Sequence, residues 1–218
     1  MESMKNLYIV CSILFGSLLI TPLLVNADSD PSEPNLSSFS IPLAADTWNL
    51  VSIPFDLPDE SIAGVFGDAL NSVDTIYMYA PEISGEIGEK SNPWFVYRAG
   101  HPELSTLKTI QPGFGYFVHT TSEGIISGRG TLFSSSSTPP SRHLVAGWNL
   151  VGVFEPQSTS SGDIDQVFGS IGFSGVDYLA LWKLDPSTAS FTTPDTASQG
   201  DAFWMLLDAP HTYGPTNF

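Results

Sequence analysis

Cysteine is all but missing from this chain: Cys11 is the only one in 218 residues. It lies inside the amino-terminal apolar run, so the rest of the protein offers no thiol. That absence excludes a disulfide scaffold, cysteine-ligated zinc, an iron–sulfur cluster and a thiolate nucleophile, and it leaves the apolar core to hold the fold. Basic residues are scarce too, 7 Lys and Arg against 23 Asp and Glu, for a net charge of −16. Nucleic acid and anionic membrane surfaces are therefore poor partners, since both are bound by clustered cations that release counterions. Only one long apolar stretch occurs, from Leu7 to Val25. Lys5 ahead of it and the small residue closing Val25-Asn26-Ala27 predict a secretory leader, residues 1–27, cut after Ala27. The competing reading is a retained anchor, because the run approaches the roughly 20 residues that span a bilayer. Pro22 and the lack of a basic flank favour removal, after which no stretch is apolar enough to span. Losing Glu2 and Lys5 together leaves 22 acidic and 6 basic residues and the same net charge.

The signatures of familiar chemistry are absent as well. Gly-x-Ser-x-Gly does not occur, Gly172-Phe173-Ser174-Gly175 being one residue short. Ser105-Thr106-Leu107-Lys108 has the Ser-x-x-Lys spacing of penicillin-interacting enzymes without its companion motifs. His101-Pro102-Glu103 matches the His-x-Glu spacing of deaminases, whose zinc needs cysteines. His119, His143 and His211 form no i, i+4 pair for a helical zinc site. Gly113-Phe114-Gly115 lacks the further glycine and the Lys-Ser/Thr pair of a phosphate loop, and reads instead as a tight turn entering a strand. No catalytic residue, metal-ligand set or cofactor is assigned. Two openings remain. Calcium has oxygen donors in Asp163 and Asp165 or in Asp28 and Asp30, at spacings unlike the calcium-binding helix–loop–helix. Carboxylates such as Glu82, Glu86 and Glu89 leave room for a glycosidase-type pair.

What the chain does have is internal likeness. Trp48-Asn49-Leu50-Val51 returns unchanged as Trp148-Asn149-Leu150-Val151, 100 residues later. Ile62, Val65, Phe66 and Gly67 match Ile164, Val167, Phe168 and Gly169 at an offset of 102, and Val73-Asp74 matches Val176-Asp177 at 103. Gly113-Phe114-Gly115-Tyr116-Phe117 resembles Gly200-Asp201-Ala202-Phe203-Trp204 at an offset of 87, so the second copy has shorter loops. The expected organisation is a polar, proline-punctuated tether at 28–38, repeat 1 at 39–133, a Ser/Pro connector at 134–142 and repeat 2 at 143–218. Asn35-Leu36-Ser37 in the tether is an N-glycosylation sequon of little weight.

Short apolar runs rich in aromatic and β-branched residues predict strands at 39–43, 48–55, 75–79, 94–97, 115–119 and 124–133, then at 144–154, 178–184, near Phe191 and at 202–207. Ile62, Val65, Phe66 and Ala69 fall at i, i+3, i+4 and i+7, one apolar helical face, with Asp59-Glu60-Ser61 as acidic and capping residues. A second helix is expected around 162–171. The fold class is mostly β (α+β): two tandem repeats, each an antiparallel sheet with one short helix. Whether they form one body or two stays open, with contact favoured because each is small.

Trp48, Asn49, Trp148, Asn149, Gly113 and Gly200 are the repeat's structural residues. Apolar side chains on both faces of the Trp-Asn-Leu-Val strand predict a central strand, with Asn49 and Asn149 bonded to backbone of a neighbouring loop. In the third strand Ile76 and Met78, and Leu179 and Leu181, are expected inward, which turns Tyr79 and Trp182 to the rim. Half-exposed aromatics hold the apolar face of sugar rings. Tyr79 and Trp182, extended by Trp94, Tyr97 and Trp204, are thus the candidate ligand residues, against the plainer role of packing.

With Trp-Asn-Leu-Val near the start of each unit and Pro112-Gly113-Phe114-Gly115-Tyr116-Phe117 near its end, residues 39–218 resemble tandem modules of exported and cell-surface proteins of bacteria and archaea, a family of unknown function. The resemblance implies location and a non-catalytic passenger role, and supplies no functional residues. Ala202 stands where Gly115 would recur, and the second copy lacks the preceding proline. The leading expectation is a secreted, non-catalytic adhesion-type module whose partners are glycans or cell-surface proteins. The alternatives are a secreted carbohydrate-active hydrolase and a structural cell-envelope component.

Overall fold

In the computed structural model, residues 36–83, 92–131, 140–154, 162–171 and 178–215 are described. The expected leader, residues 28–35 of the tether, residues 134–139 of the connector, Glu86 and Glu89 lie outside them. The first half contains β1 (Leu36–Leu43), β2 (Thr47–Ser52), α1 (Ile62–Phe66), β3 (Val73–Tyr79), β4 (Trp94–Arg98), β5 (Gly115–Thr120) and β6 (Gly124–Thr131). The second contains β7 (Arg142–Leu144), β8 (Gly147–Gly152), β9 (Gly162–Asp163), α2 (Ile164–Val167), β10 (Tyr178–Asp185), β11 (Ser190–Thr192), β12 (Thr196–Ala197), β13 (Ala202–Leu207) and β14 (His211–Tyr213). The protein is mostly β, and its described residues fall in one compact unit.

Each half builds one four-stranded antiparallel sheet, in the order β2-β5-β3-β4 and β8-β13-β10-β11. Chain order into sheet position is the same in both. Each also pairs its first and last strands into a ribbon, β1 with β6 and β7 with β14. Both sheets shift register at one point, between Val73 and Thr75 and between Tyr178 and Ala180, which leaves Asp74 and Leu179 as bulges. Matching the registers puts Trp48, Leu50, Tyr77, Trp94 and Phe117 in the strand positions of Trp148, Leu150, Trp182, Phe191 and Trp204.

Period-two alternation explains each core. Val51, Ile76, Met78, Tyr116 and Val118 turn to one face of the first sheet, where Phe39, Ile41 and Leu43 of β1 and Ile62, Val65 and Phe66 of α1 cover them. Ser61 caps α1 by accepting from the Gly64 N–H at 3.0 Å, worth about 1 kcal/mol. The α-helix stops at Phe66 because Gly67 takes φ 49°, and a 3-10 helix over Gly67–Ser72 carries Ala69 into the core. In the second core Leu144, Val151, Ile164, Phe168, Phe203 and Met205 pack together.

Three expectations need correction. The Trp-Asn-Leu-Val strands are at the ends of their sheets, not the centre. Their second face is apolar because the other half covers it: Leu50, Leu150, Leu184 and Ala202 form a cluster of their own. Leu179 is 66 % exposed, since the bulge at that residue breaks the alternation that would have turned it inward with Leu181. The predicted strand at 144–154 divides into β7 and β8. Gly147 turns at φ 94°, and the Asn149 amide donates to the Val145 carbonyl at 2.8 Å while accepting from its N–H at 3.1 Å. Asn49 does the same to Ala44, at 3.1 and 2.8 Å.

The halves meet through reciprocal contacts. The Ser52 N–H donates to the Gly200 carbonyl at 2.8 Å, and the Gly152 N–H donates to the Gly113 carbonyl at 3.0 Å. Val51 bridges Asp201, and Val151 bridges Phe114. Each contact is the image of the other under exchange of halves, the pattern of an isologous dimer within one chain. Gly113 and Gly200 hold φ 78° and 86°, and a Cβ would strike Phe154 at the first and Ile41 at the second.

Candidate functional site

The outer faces of the two sheets carry the aromatics, and the junction brings them into one strip. Trp148 lies 4.8 Å from Trp182 and 6.0 Å from Trp204 between ring centroids, and Trp182 lies 6.4 Å from Phe191. Across the junction Tyr79 lies 5.1 Å and Trp94 6.0 Å from Trp204. On the first sheet Trp48 lies 5.7 Å from Tyr77 and 6.4 Å from Phe117, and Tyr77 lies 6.0 Å from Trp94. All five tryptophans of the chain belong to this strip. Most pairs are edge-on or tilted, the arrangement favoured by ring quadrupoles and worth about 0.5–1.5 kcal/mol per pair beyond area burial.

Between the halves the strip opens into a cavity of about 280 Å³ lined by Tyr79, Trp148, Trp182, Phe191 and Trp204. Its size is near the lower end of small-molecule sites, roughly 300 Å³. Trp182 and Phe191 are 41 % and 46 % exposed, so the walls present ring faces to solvent instead of closing on themselves. The polar groups that its lining side chains carry are the Tyr79 phenol and the three indole N–H groups.

Of the sequence-predicted ligand residues, Tyr79, Trp182, Trp94 and Trp204 come together. Tyr97 does not. It pairs with Ile76 in β4 and packs against the first core, because register turns it to the face opposite Trp94. Trp148, a structural residue of the repeat by its sequence, lines the cavity, and so does Phe191, for which the sequence predicts only a strand. A larger cavity, about 560 Å³, opens beside Asn49, but that side chain is spent on the turn backbone.

Charged groups lie around the strip rather than in it. His119 Nδ1 is 3.0 Å from both Asp74 carboxylate oxygens, and its ring lies 4.9 Å from Trp48. Glu82, one of the carboxylates considered for hydrolysis, is engaged by the buried Arg142, whose Nε donates to it at 2.9 Å. Arg142 also donates to the Gly113 and Leu150 carbonyls at 2.7 and 2.9 Å and stacks over Phe114 at 3.8 Å. Burial lowers its pKa, and Glu82 opposes that shift. Burial drives the Tyr116 and Tyr213 phenols well above the ordinary value. Each ties down a loop, Tyr116 through both backbone groups of Gln111 and Tyr213 through Gly152 and Phe154. These shifted groups are anchors of the fold. Asp163 sits in β9 and Asp165 in α2, and no group of three His, Cys, Asp or Glu suited to a metal gathers among the described residues.

No protein-family model, curated protein or solved structure matches the chain.

Proposed function

We propose that this chain is an exported, non-catalytic surface module that binds glycans on the aromatic strip where its two halves meet. One observation carries the reading: the cavity of about 280 Å³ is walled by five aromatic side chains, three of them tryptophan. A pyranose has a flat apolar face that stacks on such rings, and its hydroxyls meet indole and phenol donors at the edges. The partial exposure of Trp48, Trp94, Trp182 and Phe191 in one strip supports an interaction surface. The net charge of −16 repels sulfated and uronate-rich polymers and favours neutral glycans. In this reading the halves descend from a tandem duplication, and the likeness to exported surface modules gives the location.

The test is a panel of neutral and anionic glycans read by thermal shift and tryptophan fluorescence on the mature chain. A glycan that prefers the folded state raises the melting temperature. At least one neutral glycan should bind, and Trp182→Ala and Tyr79→Ala should each weaken it tenfold or more. No binding across the panel, or binding indifferent to both substitutions, contradicts the proposal.

A further inference from the structure

The geometry points to a second sugar subsite on the first sheet, formed by Trp48, Tyr77, Trp94 and Phe117, with the His119–Asp74 pair as its hydrogen-bonding edge. The inference rests on the glycan reading of the first cavity, and it makes the ligand an oligosaccharide.

Four of the five residues walling the first cavity have a counterpart by register: Trp148 in Trp48, Trp182 in Tyr77, Phe191 in Trp94 and Trp204 in Phe117. The spacings repeat with the identities. Trp48 to Tyr77 is 5.7 Å against 4.8 Å for Trp148 to Trp182, and Tyr77 to Trp94 is 6.0 Å against 6.4 Å for Trp182 to Phe191. Trp48 and Trp94 remain 37 % and 38 % exposed. Packing alone gives no reason to keep two large rings so wet on one sheet face.

The second cluster is continuous with the cavity. Phe117 lies 6.1 Å from Trp204, and Trp94 lies 4.9 Å from Tyr79, itself a cavity wall. A chain of sugar rings stacked at the cavity therefore meets further rings as it crosses the junction.

The polar edge is what the second sheet lacks. A carboxylate only accepts, so His119 Nδ1 must be the donor to Asp74, and a neutral ring then presents Nε2 as an acceptor for a sugar hydroxyl. The matching positions hold Leu206 and the bulged Leu179. The second subsite thus adds a histidine edge to its stacking rings. The acidity of the chain makes the ligand a neutral oligosaccharide.

Calorimetric titration with neutral oligosaccharides of one, two, four and six residues tests this, using the mature chain, Trp182→Ala, Trp48→Ala and His119→Leu. Wild type should gain at least tenfold in affinity from the single sugar to the tetramer. Trp48→Ala should abolish that gain, and His119→Leu should reduce it. Trp48→Phe, which keeps a ring, should retain most of it and covers the case in which the alanine variant does not fold. Loss of single-sugar binding in Trp182→Ala supports the first cavity independently. An unchanged length gain in Trp48→Ala overturns the second subsite and leaves the first standing. No saccharide binding by wild type overturns both.

Discussion

The two halves agree in strand order, register and bulge, yet they close against each other through chemically opposite corners. At one corner Ile41 packs over Gly200, an apolar contact that needs no partner. At the other the guanidinium of Arg142 reaches the Gly113 carbonyl, stacks on Phe114 and takes Glu82 as its counter-ion, with only 5 % of the residue exposed. A homodimer would be obliged to use one solution twice. A single chain with two non-identical halves is free to use an apolar seal on one side and an ion pair on the other. The same freedom shows at the centre of the junction. Ser52 and Gly152 share a strand position, and a Cβ built on Gly152 would lie 2.4 Å from that of Ser52. Gly115 and Ala202 stand in the same relation, with a would-be contact of 3.1 Å. The first meeting has space for one side chain and not two, and the second is tight.

The sharpest way to break this comparison is to remove one partner of the polar corner. Glu82→Ala leaves Arg142 buried and uncompensated, and urea unfolding should show a loss of about 3–5 kcal/mol. Ile41→Val at the apolar corner should cost only about 0.5–1.5 kcal/mol. Equal losses would mean that the corners do not differ as described. Next in size is the centre. Gly152→Val forces atoms against Ser52 and the Phe114 carbonyl, and should destabilise by about 1–3 kcal/mol with a weakened junction in hydrogen exchange. Ser52→Gly removes a hydroxyl that donates to Asp201 O at 2.6 Å and accepts from Val153 N at 3.2 Å, and should cost about 1 kcal/mol.

Each half also has its own buried phenol, which sets an alkaline limit. The Tyr116 and Tyr213 pKa values are raised by burial above the unfolded value of about 10, so their contribution is complete below pH 10 and is lost as pH rises beyond it. Stability measured from pH 8 to 11 should fall steeply above 10. Tyr116→Phe and Tyr213→Phe should each flatten that fall while costing about 1 kcal/mol at neutrality. An unchanged alkaline limb in both variants would show that other groups govern it.

The smallest effect concerns Asp56, whose pKa is raised by burial and then by Glu60. A raised carboxyl favours the folded state only below the ordinary carboxylate range, and at neutral pH its charge is a cost. Asp56→Asn should therefore raise the melting temperature slightly at pH 7, and the advantage should vanish below about pH 4. A gain that persists in acid would rule out the charge as its cause.

Much of this fold is legible in the sequence because local chemistry dictates it. Aromatic and β-branched runs mark β3, β5 and β13, and the spacing of Ile62, Val65, Phe66 and Ala69 marks the helical face, even though Gly67 tightens its end. Partner choice is less legible. Apolar residues on both faces of β2 are equally consistent with a central strand and with an edge covered by another half, and only the topology separates the two. Leu179 looked inward because a bulge adds one residue without leaving a glycine or proline to announce it. Tyr97 and Trp94 sit in one continuous apolar run, Trp94-Phe95-Val96-Tyr97, in which alternation gives no polar face to orient it. The cavity was half visible. Three of its walls, Tyr79, Trp182 and Trp204, follow from residue type, whereas Trp148 and Phe191 join them through contacts between strands distant in sequence. Arg142 and Glu82, 60 residues apart, carry no sequence signal of their pairing.

The most direct test is a proton–nitrogen NMR titration that follows the tryptophan indole N–H signals, all five of which lie on the strip. With a neutral oligosaccharide bound, the signals of Trp148, Trp182 and Trp204 should shift first and most, with Trp48 and Trp94 following as the sugar lengthens. If every glycan tried leaves all five indole signals in place, the aromatic junction is a packing surface and not a binding site.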